Sequence, residues 1–279
     1  MPQGIPPKQG GTTKHSPSSR QRDGGVFGMY DSYATIYDLA KQGRYGGFMA
    51  QWSLDWLAVR GERPGSVLDL ACGTGAATLV FAQAGCTVTG IDASTAMLDI
   101  ARARVRDARL AATFGEADIR LLADDTNAGL AEPSTFDLVT CFADSLNYLT
   151  GAGDLALVFH QVAVALRVGG WLMFDINTEA EYATWDERDV VAHDSADLLL
   201  YQKLRYNKRA RLGTGRIVWF VREIEHWWRG EETHTQRAWR DHEVRAALAA
   251  AGFTLVLAEP APNAVDGRRF VYVCRKSKE

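Results

Sequence analysis

The run Val67-Leu68-Asp69-Leu70-Ala71-Cys72-Gly73-Thr74-Gly75, followed by Gly90-Ile91-Asp92, constrains this chain more than any other feature. Val67, Leu68 and Leu70 suit a parallel strand covered on both faces. Gly73 and Gly75 remove Cβ atoms where the backbone must turn sharply and approach a ligand closely. Residues 76–84 are good helix formers, and Gly85 stops them. Residues 86–91 then read as a second strand, which delivers Asp92 to a place where its carboxylate can accept hydrogen bonds from a ribose diol. The whole is a nucleoside-binding βαβ unit, with the nucleoside still to be named.

Two nucleosides compete. A nicotinamide or flavin fingerprint needs Gly-x-Gly-x-x-Gly, its third glycine letting helix and strand pack closely. Thr78 occupies that position, so the fingerprint is incomplete. The pattern Asp-x-Ala-x-Gly-x-Gly, from Asp69 to Gly75, instead resembles the first motif of class I S-adenosylmethionine-dependent methyltransferases. Asp92 is similar to that family's second motif. Residues 113–119 read as a third strand ending in Ala117-Asp118-Ile119-Arg120, resembling the motif whose aspartate contacts the adenine amino group. Phe136-Asp137-Leu138-Val139-Thr140-Cys141-Phe142 reads as the fourth strand. A helix over 154–166, a Val168-Gly169-Gly170 turn and a strand over 171–176 follow in the family's order.

The resemblance covers residues 30–177 and resumes over 240–275. It implies an α/β, Rossmann-like, doubly wound sheet of seven strands with the last antiparallel, and S-adenosylmethionine as cofactor. By the same resemblance Asp69 helps hold the methionine end. Tyr33, Tyr37, Ala71, Gly73, Gly75, Asp92, Ala93, Met97, Asp118, Ile119 and the backbone of Cys141 would surround the rest. Residues 29–40 carry Tyr30, Tyr33, Ile36, Tyr37 and Leu39 at roughly helical spacing. Read as residues alone, they form an amphipathic helix packing its rings on the sheet. The resemblance makes the segment a lid, with Tyr33 and Tyr37 one turn apart and facing one site.

Composition bounds the partners. The 279 residues are 47% hydrophobic and 10% aromatic, enough for a large core with or without an insertion. Lys8, Lys14, Arg20 and Arg22 against Asp23 give residues 1–25 a charge near +3, leaving the remainder near -6 of a net -3. A body of that sign lacks the basic footprint of a protein that docks on phosphate backbones, so nucleic acid is not the expected partner. Residues 1–25 hold half of the eight prolines and no apolar run, which predicts a disordered tail. No signal peptide or bilayer-spanning stretch is read. The four scattered cysteines include no Cys-x-x-Cys, so the expectation is a cytoplasmic enzyme without disulfides, metal or membrane contact.

Residues 178–239 break the βα alternation. Strands over 198–206, 216–226 and 232–239, with turns at 208–215 and at Arg229-Gly230, predict an antiparallel β insertion after the fifth strand. It falls at the ligand end of the sheet, as a wall of the acceptor pocket or as a homodimer contact. A helix over 241–251, stopped by Gly252, and strands over 253–257 and 269–274 complete a core of residues 26–177 and 240–279, lid included.

The acceptor side is sought in Ala143-Asp144-Ser145-Leu146-Asn147-Tyr148 after the fourth strand. Read bare, this is a loop whose Asp and Asn make turns and whose Tyr packs. By resemblance it lies at the transferable methyl. The Asn/Asp-Pro-Pro-Tyr/Phe motif of nucleobase amine methylation and the paired glutamates of protein arginine methylation are missing, which points to a small free acceptor. The region resembles bacterial amino-sugar N-methyltransferases. His234 and Gln236 share a strand face, either as a solvated edge or with His234 as a base, since imidazole titrates near neutrality. Asp144, Tyr148 and His234 are therefore the catalytic candidates. The expected reaction moves a methyl from S-adenosylmethionine to a small-molecule amine. A small-molecule hydroxyl is second, a noncatalytic S-adenosylmethionine-binding protein is the rival from another class, and a nicotinamide oxidoreductase ranks last.

Overall fold

The computed structural model describes residues 30, 32–122, 129–264 and 267–277. The expected disordered tail, 1–25, lies outside the described residues. Two short-range signals, glycine stops and apolar runs, cut the chain where the sequence suggests. Helices α1 (Ala34–Leu39) and α2 (Arg44–Ala58) precede strand β1 (Ser66–Leu70). Then come α3 (Ala76–Gln83), β2 (Thr87–Asp92), α4 (Thr95–Asp107), β3 (Thr113–Glu116), β4 (Phe136–Cys141), α5 (Asp154–Ala165) and β5 (Leu166–Asn177). A one-turn helix α6 (Glu179–Tyr182) leads into β6 (Arg188–Asp194), β7 (Leu198–Asn207), β8 (Leu212–Glu223) and β9 (His226–Arg237). Helix α7 (Asp241–Ala250), β10 (Phe253–Pro260) and β11 (Arg269–Lys276) close the chain.

The larger sheet runs β10-β11-β5-β4-β1-β2-β3. Strands β1 to β5 pair in parallel, and β11 is antiparallel to both neighbours. This is the expected Rossmann-like sheet of seven strands, last strand reversed. One face buries Phe159, Val162, Val244 and Leu248 of α5 and α7 against Leu172, Phe174 and Tyr272. The other buries Met49, Leu57 and Phe81 of α2 and α3 against Val67, Leu138, Met173 and Val273. The strand order reverses between β1 and β4, and a crevice opens outside the carboxyl ends of the strands there.

Several boundaries differ from the sequence reading. Strand β3 stops at Glu116, because Asp118 caps a 3-10 turn by accepting from the Arg120 amide at 2.9 Å. Strand β5 begins before the glycine turn: pairing jumps from Phe136↔Leu166 to Leu138↔Trp171, and Gly169, at φ +74°, absorbs the excursion. The insertion is a four-stranded antiparallel sheet, β6-β7-β8-β9, one strand more than expected. Strand β6 was illegible because most of its residues are exposed and none is buried, so no apolar alternation marks it. Arg229-Gly230 is not a turn. Gly230 sits inside β9 opposite Trp219, and a Cβ there would lie 2.2 Å from the indole. That glycine clears room for a ring, and the hairpin turns at Ile224-Glu225 instead.

The N-terminal segment lies between the sheets. Tyr33 and Ile36 pack on Leu198, Leu200, Ile217 and Trp219 of the smaller sheet. Arg104 of α4 ties the same segment to the larger one through Asp38 at 2.5 Å and the Thr74 carbonyl at 2.7 Å.

Candidate active site

Strand β1 ends in a turn whose residues Ala71, Gly73 and Gly75 all take positive φ, of 51°, 54° and 76°. Only glycine adopts that region freely, which is why two of the three are glycine. The two glycines do different work. Beside Gly73 a Cβ would meet nothing within 4 Å, because the position faces an open cavity. At Gly75 it would come within 2.9 Å of the Ala101 Cβ, so that glycine lets α3 and α4 approach.

Two carboxylates brace the turn. Asp92 accepts from the Gly73 amide at 2.8 Å and from the Ser94 amide at 2.9 Å. Asp69 is buried and accepts from the Thr78 hydroxyl at 2.7 Å and the Thr140 hydroxyl at 2.9 Å. Burial pushes the Asp69 carboxyl up to about 6 against the opposing pull of those hydroxyls. Thr78, where a dinucleotide fingerprint carries glycine, thus anchors the buried acid.

A cavity of about 220 Å³ opens over this turn. Ala71, Gly73, Asp92, Ala93, Met97, Asp118, Ile119 and Tyr37 line it, all expected at the cofactor. Its chemistry fits S-adenosylmethionine: a bare glycine wall, acids at the two positions where a nucleoside offers donors, apolar Met97 and Ile119 for a base, and tyrosine rings for a sulfonium. Arg120 hydrogen-bonds Asp118 and holds its carboxyl below the usual carboxylate range, against a smaller opposing effect of burial. Asp69 borders an adjoining recess with Tyr37 and Gly73.

Three expected contacts do not reach these cavities. Gly75 packs on α4, as above. Cys141 is sealed in the core, and the wall is formed by Ala143 and Ser145 further on. Tyr33 does not share a site with Tyr37. It precedes the first turn of α1 and turns away to Trp219, 5.1 Å between ring centroids.

A second cavity, of about 440 Å³, lies between the strand ends and the smaller sheet. Tyr30, Tyr37, Ala143 and Tyr148 line both cavities and form the partition. All three catalytic candidates, Asp144, Tyr148 and His234, line the second one. His234 is buried, so the solvated-edge alternative falls away. The Tyr148 hydroxyl lies 2.5 Å from the Tyr30 hydroxyl and 3.1 Å from His234 Nδ1. His234 Nε2 in turn lies 3.2 Å from Glu232 Oε2. Burial, above all, pushes the Tyr30, Tyr37 and Tyr148 phenols well up, so all three stay neutral at ordinary pH.

Asp144 accepts from Arg269 at 2.6 Å and from the Gln236 amide at 2.6 Å. Arg269 also donates to Asp175 at 3.0 Å and stacks over Tyr45 at 4.4 Å. Asp175 is fully buried and accepts from the Ala143 and Asp144 amides at 2.8 and 2.9 Å, fixing the loop's left-handed entry. Burial outweighs the Arg269 charge and pushes the Asp175 carboxyl up to about 6. Asn147 stays out of the cavity, donating to the Asn177 and Arg237 carbonyls and tying the loop to both sheets.

The sequence does not mark Asp175 or Arg269 as site residues, and it offers Glu232 and Tyr30 only as members of the insertion and of the aromatic N-terminal segment. Asp175, Arg269 and Tyr30 meet their partners far off in the chain; Glu232 stands two residues before His234 on one strand, but the N-terminal amides that it also holds are some 200 residues away. Among the described residues, no cluster of three or more His, Cys, Asp or Glu is placed to hold a metal ion, and no helix is long and apolar enough to cross a membrane.

Comparison with known proteins adds an independent line. Residues 67–170 match the family described as a methyltransferase domain. YqeM of Bacillus subtilis (strain 168), a protein named as a methyltransferase, is 29% identical over 257 residues, covering 90% of this chain and 98% of that one. An S-adenosylmethionine-dependent methyltransferase from Clostridium acetobutylicum ATCC 824 superposes with a TM-score of 0.76 at 24% identity, over 90% of this chain and 100% of that one. The sugar N-methyltransferase KedS8 from Streptoalloteichus sp ATCC 53650 does so at 0.68 and 20% identity, over 100% and 99%. The last two share the fold.

Proposed function

We propose that this chain, an S-adenosylmethionine-dependent methyltransferase, methylates the amine nitrogen of a small, free acceptor. The observation that carries the nitrogen assignment is the charge of the second cavity. Asp144 and Arg269 line it, buried Asp175 stands behind Arg269 and Glu232 behind His234, so the carboxylates around the chamber outnumber the guanidinium.

The cofactor supplies a methyl already activated by its sulfonium, so the protein has to align donor and acceptor rather than create a leaving group. As a neutral amine attacks, positive charge leaves the sulfur and grows on the nitrogen. Carboxylates fixed on the nitrogen's side stabilise that shift without reorganising. The same carboxylates disfavour a phenolate. Asp92, Asp118, Met97 and Ile119 hold the nucleoside in this reading, Asp69 supports the turn beneath the methionine end, and the smaller sheet closes the acceptor chamber. The sugar N-methyltransferase with the same fold fits an amino sugar as one such acceptor.

A second reading, oxygen methylation, draws on the His234–Tyr148 contact, which a hydroxyl acceptor would use as a base. Labelled S-adenosylmethionine offered with parallel panels of small amines and phenols separates the two. Product from amines is expected; product from phenols alone would overturn the nitrogen assignment. Isothermal titration with S-adenosylhomocysteine should show binding that Asp92→Ala weakens at least tenfold. An unchanged affinity would remove Asp92 from the cofactor site.

A further inference from the structure

We propose that Tyr30, Tyr148 and His234 form a proton relay that draws the proton from the acceptor nitrogen, with Glu232 as the positioning residue that sets its direction. The relay rests on the nitrogen reading above. Tyr30 and Tyr148 stand in the partition between the two cavities, where the reacting atoms must meet.

Glu232 gives the chain its polarity. Its Oε1 accepts from the Ser32 amide at 3.0 Å, the Ser32 hydroxyl at 2.6 Å and the Tyr33 amide at 2.9 Å. Its Oε2 accepts from the Tyr30 amide at 3.1 Å and lies 3.2 Å from His234 Nε2. A side chain facing that many donors is a carboxylate; Nε2 makes no aligned hydrogen bond, and the carboxylate 3.2 Å away favours the ring proton on that nitrogen by its charge. Nδ1 is then the acceptor for the Tyr148 hydroxyl, and the Tyr148 oxygen accepts from the Tyr30 hydroxyl. The remaining lone pairs of the Tyr30 oxygen are the open end of the chain.

The step balances. The nitrogen lone pair forms the new C–N bond, the C–S pair stays with sulfur, and the nitrogen becomes an ammonium. Its proton passes to the Tyr30 oxygen, Tyr30's own proton to Tyr148, and Tyr148's to His234 Nδ1. Both tyrosines end neutral, and His234 ends as an imidazolium beside Glu232. The same carboxylate grips the backbone at Tyr30, Ser32 and Tyr33, so the relay is assembled only when the N-terminal segment is docked.

Nitrogen-15 spectra of the full chain labelled at histidine, recorded with S-adenosylhomocysteine and no acceptor, test the polarity. His234 is the only buried histidine among the described residues, and a protonated Nε2 with a bare Nδ1 is expected. A proton on Nδ1 overturns the proposal. In Glu232→Gln the amide oxygen should take over the three donors at Oε1, turning the amide NH2 toward His234 and moving the ring proton to Nδ1. Retention of the Nε2 proton in folded Glu232→Gln would remove Glu232 from the role. Tyr30→Phe, which keeps the ring, should lower kcat at least tenfold on an amine found in the panel, while its KM and the S-adenosylhomocysteine affinity stay within about threefold. An unchanged kcat overturns the relay. If only phenols react, the nitrogen reading falls by itself, and the acceptor-free spectra still decide the relay's direction.

Discussion

A carboxylate taken out of water resists ionisation, and Asp69 does so directly beneath the glycine turn. Its folded value near 6 lies above the ordinary 3.8, so between those values the folded protein holds more protons than the unfolded chain. Stability from this group therefore falls as pH rises through that window and is level above it. At about 1.4 kcal/mol per unit, the full effect is about 3 kcal/mol. Asp69→Asn keeps one acceptor for Thr78 or Thr140 and abolishes the titration. Urea unfolding of the variant and its parent should show the variant gaining up to that amount relative to the parent between pH 4 and 6.5. A constant difference would mean that Asp69 titrates normally. Asp69, Asp92 and Asp118 were legible because the acid–glycine–acid order is local. Arg269 was not, since Asp175 lies 94 residues away and an isolated Arg in a strand reads as a solvated face; Glu232 was half legible, with His234 two residues on but the Tyr30 amide 202 residues away.

At the scale of the element, the β8–β9 hairpin shows how a glycine can mislead. Arg229-Gly230 has turn composition, yet Gly230 is mid-strand because the indole of Trp219 occupies its Cβ position. Glycine in a strand marks either a bend or a close neighbour, and the sequence does not say which. Gly230→Ala should destabilise the protein by about 1–3 kcal/mol through overpacking. Trp219 packs on Tyr33 at 5.1 Å between centroids, so the variant should also bind S-adenosylhomocysteine less tightly. Thermal unfolding and titration calorimetry measure the two effects. A variant as stable as the parent would show that the ring has room to move. The larger sheet was readable because its central strands are apolar throughout, as burial on both faces demands. The smaller one was half readable, since β6 and the tip of β9 lie largely in solvent.

For the whole molecule, the contacts that bear on the site at largest range are those that join the two sheets. The N-terminal segment bridges them. Glu232 grips it from the smaller sheet, and Arg104 grips it from the larger through Asp38 and the Thr74 carbonyl and hydroxyl. Thr74 itself donates to Asp38 at 2.9 Å, so the clamp closes on the glycine turn over which Tyr37 lies. Docking of the segment and filling of the cofactor cavity should therefore favour each other, which is coupling between two sites through one shared element. Asp38→Ala removes the two carboxylate oxygens that accept from Arg104 and Thr74 while sparing every residue that lines the cofactor cavity. The pair is about a third exposed, so its loss should cost the fold less than about 1 kcal/mol by urea unfolding. The affinity for S-adenosylhomocysteine should nevertheless fall three- to tenfold. Amide exchange over residues 32–40 should quicken in the free variant and be slowed less by the ligand than in the parent. Equal affinity with faster exchange would show that the segment moves independently of the cofactor cavity and would sink the coupling.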